Sequence, residues 1–381
     1  MNEILKLIGV TDTQIDLFEG QYVVPEGMRY NSYILTDEKI AVFDTVDGHF
    51  TGEWLKNLEK ELNGKNPDYL VVLHLEPDHS ASITAFMQKY PAATIVSSLK
   101  AFAMMKNYYG DEYENRRIVI AEGSTLPLGS HEITFVAAPM VHWPEVMLAY
   151  ETTDKLLFSA DAFGKFGATD STDDWACEAR RYYFGIVGKY GVQVQSLLKK
   201  LADKPINAIL PLHGPVLENN LGYYVNLYDK WSKYEAEDEG VTIAYTSVYG
   251  HTKQAAEKLA EELKTRGETV AMHDLARCDM AEAVEDAFRY NKLVLATTTY
   301  NGDIFPFMRT FIDALTERNY QNRTIGFIEN GSWSSIAAKV MKGMLEKSKN
   351  ISYTAAGVKI TSAVSAANLA EISALAEELS K

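Results

Sequence analysis

The chain has 381 residues, 46% of them hydrophobic, and a formal net charge of -15. That length exceeds what one core usually supports and predicts two domains, while the acidity argues against a nucleic-acid partner and for docking of small or basic surfaces. No apolar run approaches the roughly 20 residues of a membrane span, and Met1-Asn2-Glu3-Ile4 lacks a basic start followed by an apolar stretch. A cytoplasmic protein with no membrane partner is expected. Cys177 and Cys278 are the only cysteines, far apart in sequence, so neither a disulfide framework nor a cysteine metal knuckle is available.

Residues 21–24, 32–35, 40–44, 70–73 and 94–96 read as strands. Helices are expected at 52–62 and at 82–90, where Ile83, Phe86, Met87 and Tyr90 share one face at helical spacing. A mixed α/β sandwich is predicted for this half. After a helix at 223–233, the acidic stretch Tyr234-Glu235-Ala236-Glu237-Asp238-Glu239 ends in Gly240, and we place a domain junction there, giving domains 1–239 and 240–381. Beyond it, strands at 241–245, 269–273, 293–297, 324–328 and 356–360 alternate with helices at 252–266, 281–290, 307–318, 335–347 and 369–379. Five such βα units imply an α/β domain with a doubly wound parallel five-stranded sheet, whose ligands belong at the C-terminal strand edge.

The densest chemistry lies in the first half. His74-Leu75-Glu76-Pro77-Asp78-His79 packs four metal-capable side chains into six residues directly after the apolar run 69–73. Such crowding is costly unless a cation compensates it. His142, Asp161 and His213 also follow apolar strands, and if those strands share a sheet their ends converge on one edge. The seven residues His74, Glu76, Asp78, His79, His142, Asp161 and His213 suffice for two metals with a shared carboxylate and an open position.

The order His-x-Glu-x-Asp-His, the distant His142-Trp143-Pro144, Phe158-Ser159-Ala160-Asp161-Ala162-Phe163-Gly164, Glu178-Ala179-Arg180-Arg181-Tyr182-Tyr183 and Pro211-Leu212-His213-Gly214-Pro215 together resemble the flavodiiron proteins. The resemblance spans essentially the whole chain. It implies an N-terminal metallo-β-lactamase-like αβ/βα sandwich followed by a flavodoxin-like domain. It further implies one iron held by His74, Glu76 and His142, the other by Asp78, His79 and His213, and Asp161 bridging. In some members the histidine equivalent to His79 turns away from the metal, and Ala81 stands where most have glycine. Zinc hydrolases of the metallo-β-lactamase superfamily resemble this layout but carry histidine at the position of Glu76. A carboxylate there, beside Asp78 and Asp161, favours iron and redox chemistry over hydrolysis, although carboxylates also bind zinc.

In the second half, Thr246-Ser247-Val248-Tyr249-Gly250-His251-Thr252 sits between a strand and a helix, where backbone N–H groups, hydroxyls and the helix dipole favour a phosphate. Thr297-Thr298-Thr299-Tyr300-Asn301-Gly302 and Asn330-Gly331-Ser332-Trp333 follow the third and fourth strands and could flank an isoalloxazine ring, with an aromatic available for stacking. Family members often carry Ser-Pro-Thr where this chain has the three threonines. No Gly-x-Gly-x-x-Gly or Walker sequence appears, which points to FMN over a dinucleotide or ATP.

The resemblance implies reduction of O2 to water, of NO to N2O, or both, with no catalytic side chain assigned beyond the metal ligands. It also implies a head-to-tail homodimer, or a dimer of dimers, that brings each flavin to the partner's irons. No paired Cys-x-x-Cys follows the last helix, so no fused rubredoxin is expected and the electron donor is separate, either rubredoxin or a reduced cofactor such as F420H2. The competing expectation is a zinc hydrolase with a flavodoxin domain acting as a sensor.

Overall fold

The structure, a computed structural model, describes residues 4–111 and 113–381. The chain divides into two compact units, residues 1–229 and 230–381. Among the described residues, no helix is long and apolar enough to cross a membrane.

The first unit is built on two sheets. One runs in the order Leu5–Leu7, Tyr33–Thr36, Ile40–Phe43, Tyr69–Val71, Thr94–Ser98, Arg117–Ile120, antiparallel over its first two pairings and parallel thereafter. The other runs Thr125–Pro127, Glu132–Ala137, Met147–Glu151, Leu156–Phe158, Ala208–Leu210, with only its last pairing parallel. Their inner faces meet in a core where Phe43 stacks on Phe158 with ring centroids 3.9 Å apart, and Tyr33 meets the same ring edge-on. The helix Thr51–Leu62 buries Trp54, Leu58 and Leu62, spaced by four so that one stripe faces inward. Its Trp54 packs on Phe86 of the helix Ile83–Lys89, which buries the expected Ile83, Phe86 and Met87 and ends with Tyr90 as its C-cap. The strand expected at 70–73 ends at Val71, so Val72 and Leu73 already belong to the turn that delivers His74.

The second unit is a doubly wound sheet. Val270–Asp274, Asp238–Tyr245, Tyr290–Tyr300 and Arg323–Asn330 lie side by side and parallel, and the fifth position is split between Ile351–Tyr353 and Val358–Ile360, both parallel to Arg323–Asn330. The two-residue strand Asp303–Ile304 folds back antiparallel on the end of Tyr290–Tyr300. Numbered along the chain, the five positions read 2-1-3-4-5, an order whose switch point opens a crevice at the carboxyl ends of strands 1 and 3. The first strand begins earlier than expected, at Asp238. Its register shifts between Asp238 and Val241, around Gly240, where a Cβ would meet the Tyr290 ring at 2.5 Å. One side of the sheet buries Val241, Ile243, Tyr245, Val294, Ala296 and Ile328 against Ala255, Leu259 and Leu263 of the helix His251–Thr265 and Ile372 and Leu375 of the helix Ala366–Leu379. Each such Leu or Ile contributes about 1.5–3 kcal/mol by leaving water.

Candidate metal centre and flavin loops

Chain direction explains why distant ligands converge. Glu132–Ala137 and Leu156–Phe158 both run antiparallel to Met147–Glu151, and Ala208–Leu210 runs parallel to Leu156–Phe158. The three strands therefore point the same way and release His142, Asp161 and His213 at one edge. The Met147 N–H donates to the carbonyl of Leu73 at 3.0 Å and so ties the second sheet to the His74 segment. Within that segment Pro77, free of the need to donate an N–H, opens the one-turn helix Pro77–Ser80, which carries Asp78 and His79.

All seven candidate ligands meet. His74, Glu76, His142 and Asp161 offer donor atoms that lie within 4.8 Å of one another, and Asp78, His79 and His213 form a second such group. In the first, Nε2 of His142 is 2.9 Å from Glu76 Oε2 and 3.0 Å from Asp161 Oδ2, and His74 Nε2 is 3.3 Å from Glu76. In the second, Nε2 of His79 is 3.0 Å from that of His213 and 3.2 Å from Asp78 Oδ2, and His213 is 3.3 Å from the same Asp78 oxygen. Asp161 divides its carboxylate between the two: Oδ2 faces His74 and His142, and Oδ1 lies 3.2 Å from His79. The geometry brings His79 into the second group.

This donor set fits a pair of cations. Both Asp78 oxygens and Asp161 Oδ1 are buried without a hydrogen bond; each such orphan costs about 1–3 kcal/mol, more when charged, unless an ion compensates it. Burial alone would raise the Asp161 pKa, but the adjoining His74 and His79 outweigh it and hold the carboxyl well below its usual range. Burial likewise opposes protonation of His142, while its bonds to Asp161 and Glu76 carry it up to about 9.

Several supporting residues escape the sequence reading. Glu145, three residues after His142, is buried and its Oε1 accepts from His74 Nδ1 at 2.8 Å and from the Leu75 N–H at 2.9 Å, which fixes the His74 tautomer with Nε2 inward. Asp44 accepts from the Leu73 and His74 N–H groups at 2.7 and 3.2 Å, and burial pushes its carboxyl up to about 7. The Arg29 carbonyl, 2.8 Å from His213 Nδ1, orients the second group. Gly214 follows with φ +78°, and a Cβ there would stand 2.7 Å from Cγ of the buried Lys165. Aromatic rings close around the ligands: Trp143 against His74 and His142, and Phe18, Tyr30 and Tyr182 against His213. The Tyr182 hydroxyl is buried without a partner, and burial first, then the Asp161, Glu76 and Asp78 charges, keep it protonated. Glu19, an exposed residue of a turn, interacts with Glu76; desolvation first and then the Glu76 charge push its carboxyl up to about 7.

In the second unit the three flavin-loop candidates share the carboxyl edge of the sheet, as the register pairs Tyr245 with Ala296 and Thr298 with Asn330. Thr246 and Thr297 are buried and their hydroxyls meet at 2.6 Å, so they brace the first two loops against each other. Thr298 donates to the Asn330 carbonyl, Thr299 accepts from the Ile336 N–H, and Asn330 Nδ2 reaches the Thr252 hydroxyl. Ser362, beyond the last strand and outside the sequence candidates, accepts from Asn330 through its carbonyl and bonds Ser332. Gly250, at φ +92°, is the N-cap of His251–Thr265 and supplies no side-chain cap, so the first-turn N–H groups remain available to an anion. Tyr249 and Trp333 are 89% and 94% exposed, in contrast to the threonines beneath them. Ser247 accepts from the Gly250 N–H at 3.1 Å and holds the turn.

Comparison with known proteins follows the same division. Residues 28–214 match the ODP family beta lactamase and residues 242–358 a flavodoxin domain. The chain is 29% identical over 353 residues to an anaerobic nitric oxide reductase flavorubredoxin from Salmonella arizonae, covering 89% of this chain and 73% of that one. The solved rubredoxin oxygen:oxidoreductase of Desulfovibrio gigas superposes with TM-score 0.92 at 26% identity, covering 100% of this chain and 97% of that one. The chain joins an ODP-type metallo-β-lactamase-like domain to a flavodoxin domain, and its similarity to flavorubredoxins and flavodiiron proteins runs across both. The flavodiiron protein of Giardia intestinalis shares the fold, with TM-score 0.93 at 24% identity over 100% of this chain and 95% of that one. The flavodiiron architecture accounts for both halves at once: a ligand-lined edge on one unit and a phosphate-ready loop set on the other.

Proposed function

We propose that this oxidoreductase reduces O2 to water, NO to N2O, or both, at two irons held by His74, Glu76 and His142 and by Asp78, His79 and His213, with Asp161 shared. The single observation carrying the reading is the split carboxylate of Asp161, one oxygen toward each donor group. Iron at these positions would supply redox chemistry toward a diatomic, and FMN would supply electrons one at a time. Thr246 to Thr252, Thr297 to Gly302 and Asn330 to Trp333 would hold FMN, the uncapped helix start after Gly250 offering N–H groups to a phosphate and the exposed aromatics offering a surface for stacking.

The chain's own residues then have separable tasks. Glu145 and the Arg29 carbonyl hold His74 and His213 with Nε2 turned inward. Trp143, Tyr30 and Phe18 exclude bulk water from the ligands, which strengthens every charge interaction there. Water formation from O2 consumes four protons and N2O formation two. The Tyr182 hydroxyl offers a hydrogen bond from the wall, and Glu19 holds a proton beside Glu76 near neutral pH.

The donor is a separate redox partner, with rubredoxin favoured because a similar solved protein is named as a rubredoxin oxygen:oxidoreductase. A head-to-tail homodimer and a cytoplasmic setting complete the reading. The test is metal and flavin content of the purified protein together with anaerobic NO consumption and O2 consumption under one chemical donor. Two irons and one FMN with turnover of either gas support the proposal. Stoichiometric zinc with no gas consumption contradicts it and returns the hydrolase reading.

A further inference from the structure

His213 sits on a turn that belongs to no helix or strand, Pro211 to Gly214, and all four residues are buried. Backbone polar groups buried outside regular structure need partners from elsewhere in the chain. The Leu212 N–H finds one in the Ala160 carbonyl at 2.9 Å, next to the shared Asp161. The carbonyls of Pro211, Leu212 and Gly214 all accept from a single residue, Asn31. Its Nδ2 donates to Pro211 at 2.8 Å and to Gly214 at 2.9 Å, on either side of His213, and its backbone N–H donates to Leu212 at 2.7 Å. Tyr33 donates to the Pro211 carbonyl too, at 2.7 Å, so loss of Asn31 would be felt mainly on the Gly214 side.

Chemistry fixes which way the Asn31 amide points. Its Oδ1 accepts from Arg29 Nε at 3.1 Å, and a guanidinium can only donate, so the amide nitrogen must face the two carbonyls. Asn31 is fully buried, and its oxygen and both N–H groups are engaged. The same short segment holds the imidazole, because the Arg29 carbonyl lies 2.8 Å from His213 Nδ1. Residues 29 and 31 therefore grip His213 by its ring and by the backbone on both sides. What remains free is Nε2, which stands 3.3 Å from Asp78 Oδ2 and 3.0 Å from His79 Nε2. The first donor group rests on separate supports, Glu145 at the His74 ring and Asp44 at the Leu73 and His74 N–H groups.

Resting on the two-metal reading above, we propose that Asn31 is a positioning residue for the second metal. By spanning the turn with its amide it fixes where His213 Nε2 stands, and so sets the affinity of the Asp78, His79 and His213 group without touching an ion. Asparagine suits the task because one planar nitrogen presents two donors at a short reach. Aspartate has nearly the same shape but, as an anion, donates nothing, and serine keeps a single donor.

The test titrates the metal-free, FMN-loaded full chain anaerobically with Co2+ alone, read by calorimetry. The parent is expected to take up two ions in two steps, and H213A, which lacks a ligand of the second group, to keep the first step. N31D is expected to weaken the second step about 10–100-fold while leaving the first within about twofold. N31S is expected to fall between N31D and the parent, and supplies the answer if N31D loses the first step through misfolding. Adding N31D to H213A is expected to change nothing further, since a residue that acts through His213 has no route to the metal once that ring is gone. An unchanged second step in N31D, equal weakening of both steps in N31S, or further loss of Co2+ in the double variant overturns the positioning role. A parent that takes up fewer than two Co2+ overturns the two-metal reading itself, an outcome distinct from the other three.

Discussion

Replacing Glu145 by glutamine tests whether the metal centre depends on a carboxylate that no ligand motif contains. Glu145 Oε1 accepts two hydrogen bonds, from His74 Nδ1 at 2.8 Å and from the Leu75 N–H at 2.9 Å, in a position 3% exposed. Burial would raise its pKa, yet the facing His74 holds it below the usual carboxylate value, so the group acts as an anion toward the imidazole. Glutamine keeps the oxygen and nearly the same shape but removes the charge, so the His74 bond changes from charge-assisted to neutral. Such bonds are worth about 1.5–3 kcal/mol against about 0.5–1.5 kcal/mol. The expected loss is 10–100-fold in iron affinity, with turnover falling alongside. The assay is anaerobic competition of iron-loaded protein against a chelator, with FMN affinity as the control. Iron affinity within twofold of the parent, with unchanged turnover, would refute the assignment of Glu145 as the support of His74.

Asp161→Ala removes the carboxylate that both ligand groups share; iron content is expected to fall from two to one or fewer per chain and gas reduction to cease while FMN remains, all read from metal analysis and absorbance. Gly214→Ala places a Cβ at φ +78° and 2.7 Å from Lys165 Cγ; about 1–3 kcal/mol of strain should lower the melting temperature and loosen iron through the displaced His213. Because His142 is raised to about 9 in the metal-free protein, it is protonated at pH 7, and iron loading should release a proton from it that a pH indicator detects. The sign follows: release is full below pH 8 and fades as pH rises through about 9. Gly250→Val, at φ +92°, should weaken FMN binding at least tenfold by distorting the turn before the helix N-terminus, measurable by quenching of flavin fluorescence.

The clustering of the candidate ligands was legible in the sequence because each follows an apolar strand, and strands that run the same way send such ends to one edge. His142, Asp161 and His213 are separated by tens of residues but by only a few ångströms in space, and strand direction alone carries that step. The helix Ile83–Lys89 was legible as well, since Ile83, Phe86 and Met87 repeat at helical spacing and are buried as expected. The short strands Leu5–Leu7, Val10–Asp12 and Met28–Tyr30 were not, because two or three residues set no period. Nor were Glu145 and Asp44 distinguishable from surface acids, because their role rests on burial and on the backbone groups they accept from. The fifth strand of the second unit was read as one run at 356–360, whereas pairing is split between 351–353 and 358–360.

The central claim, that these seven side chains hold redox iron, is tested most directly by Mössbauer spectroscopy of protein loaded with 57Fe, reduced, and exposed anaerobically to NO. The account predicts a coupled two-iron signal that changes on reduction and again as NO is consumed, and whose coupling is absent from Asp161→Ala. Two uncoupled irons, or a pocket that takes zinc and leaves NO untouched, would contradict it.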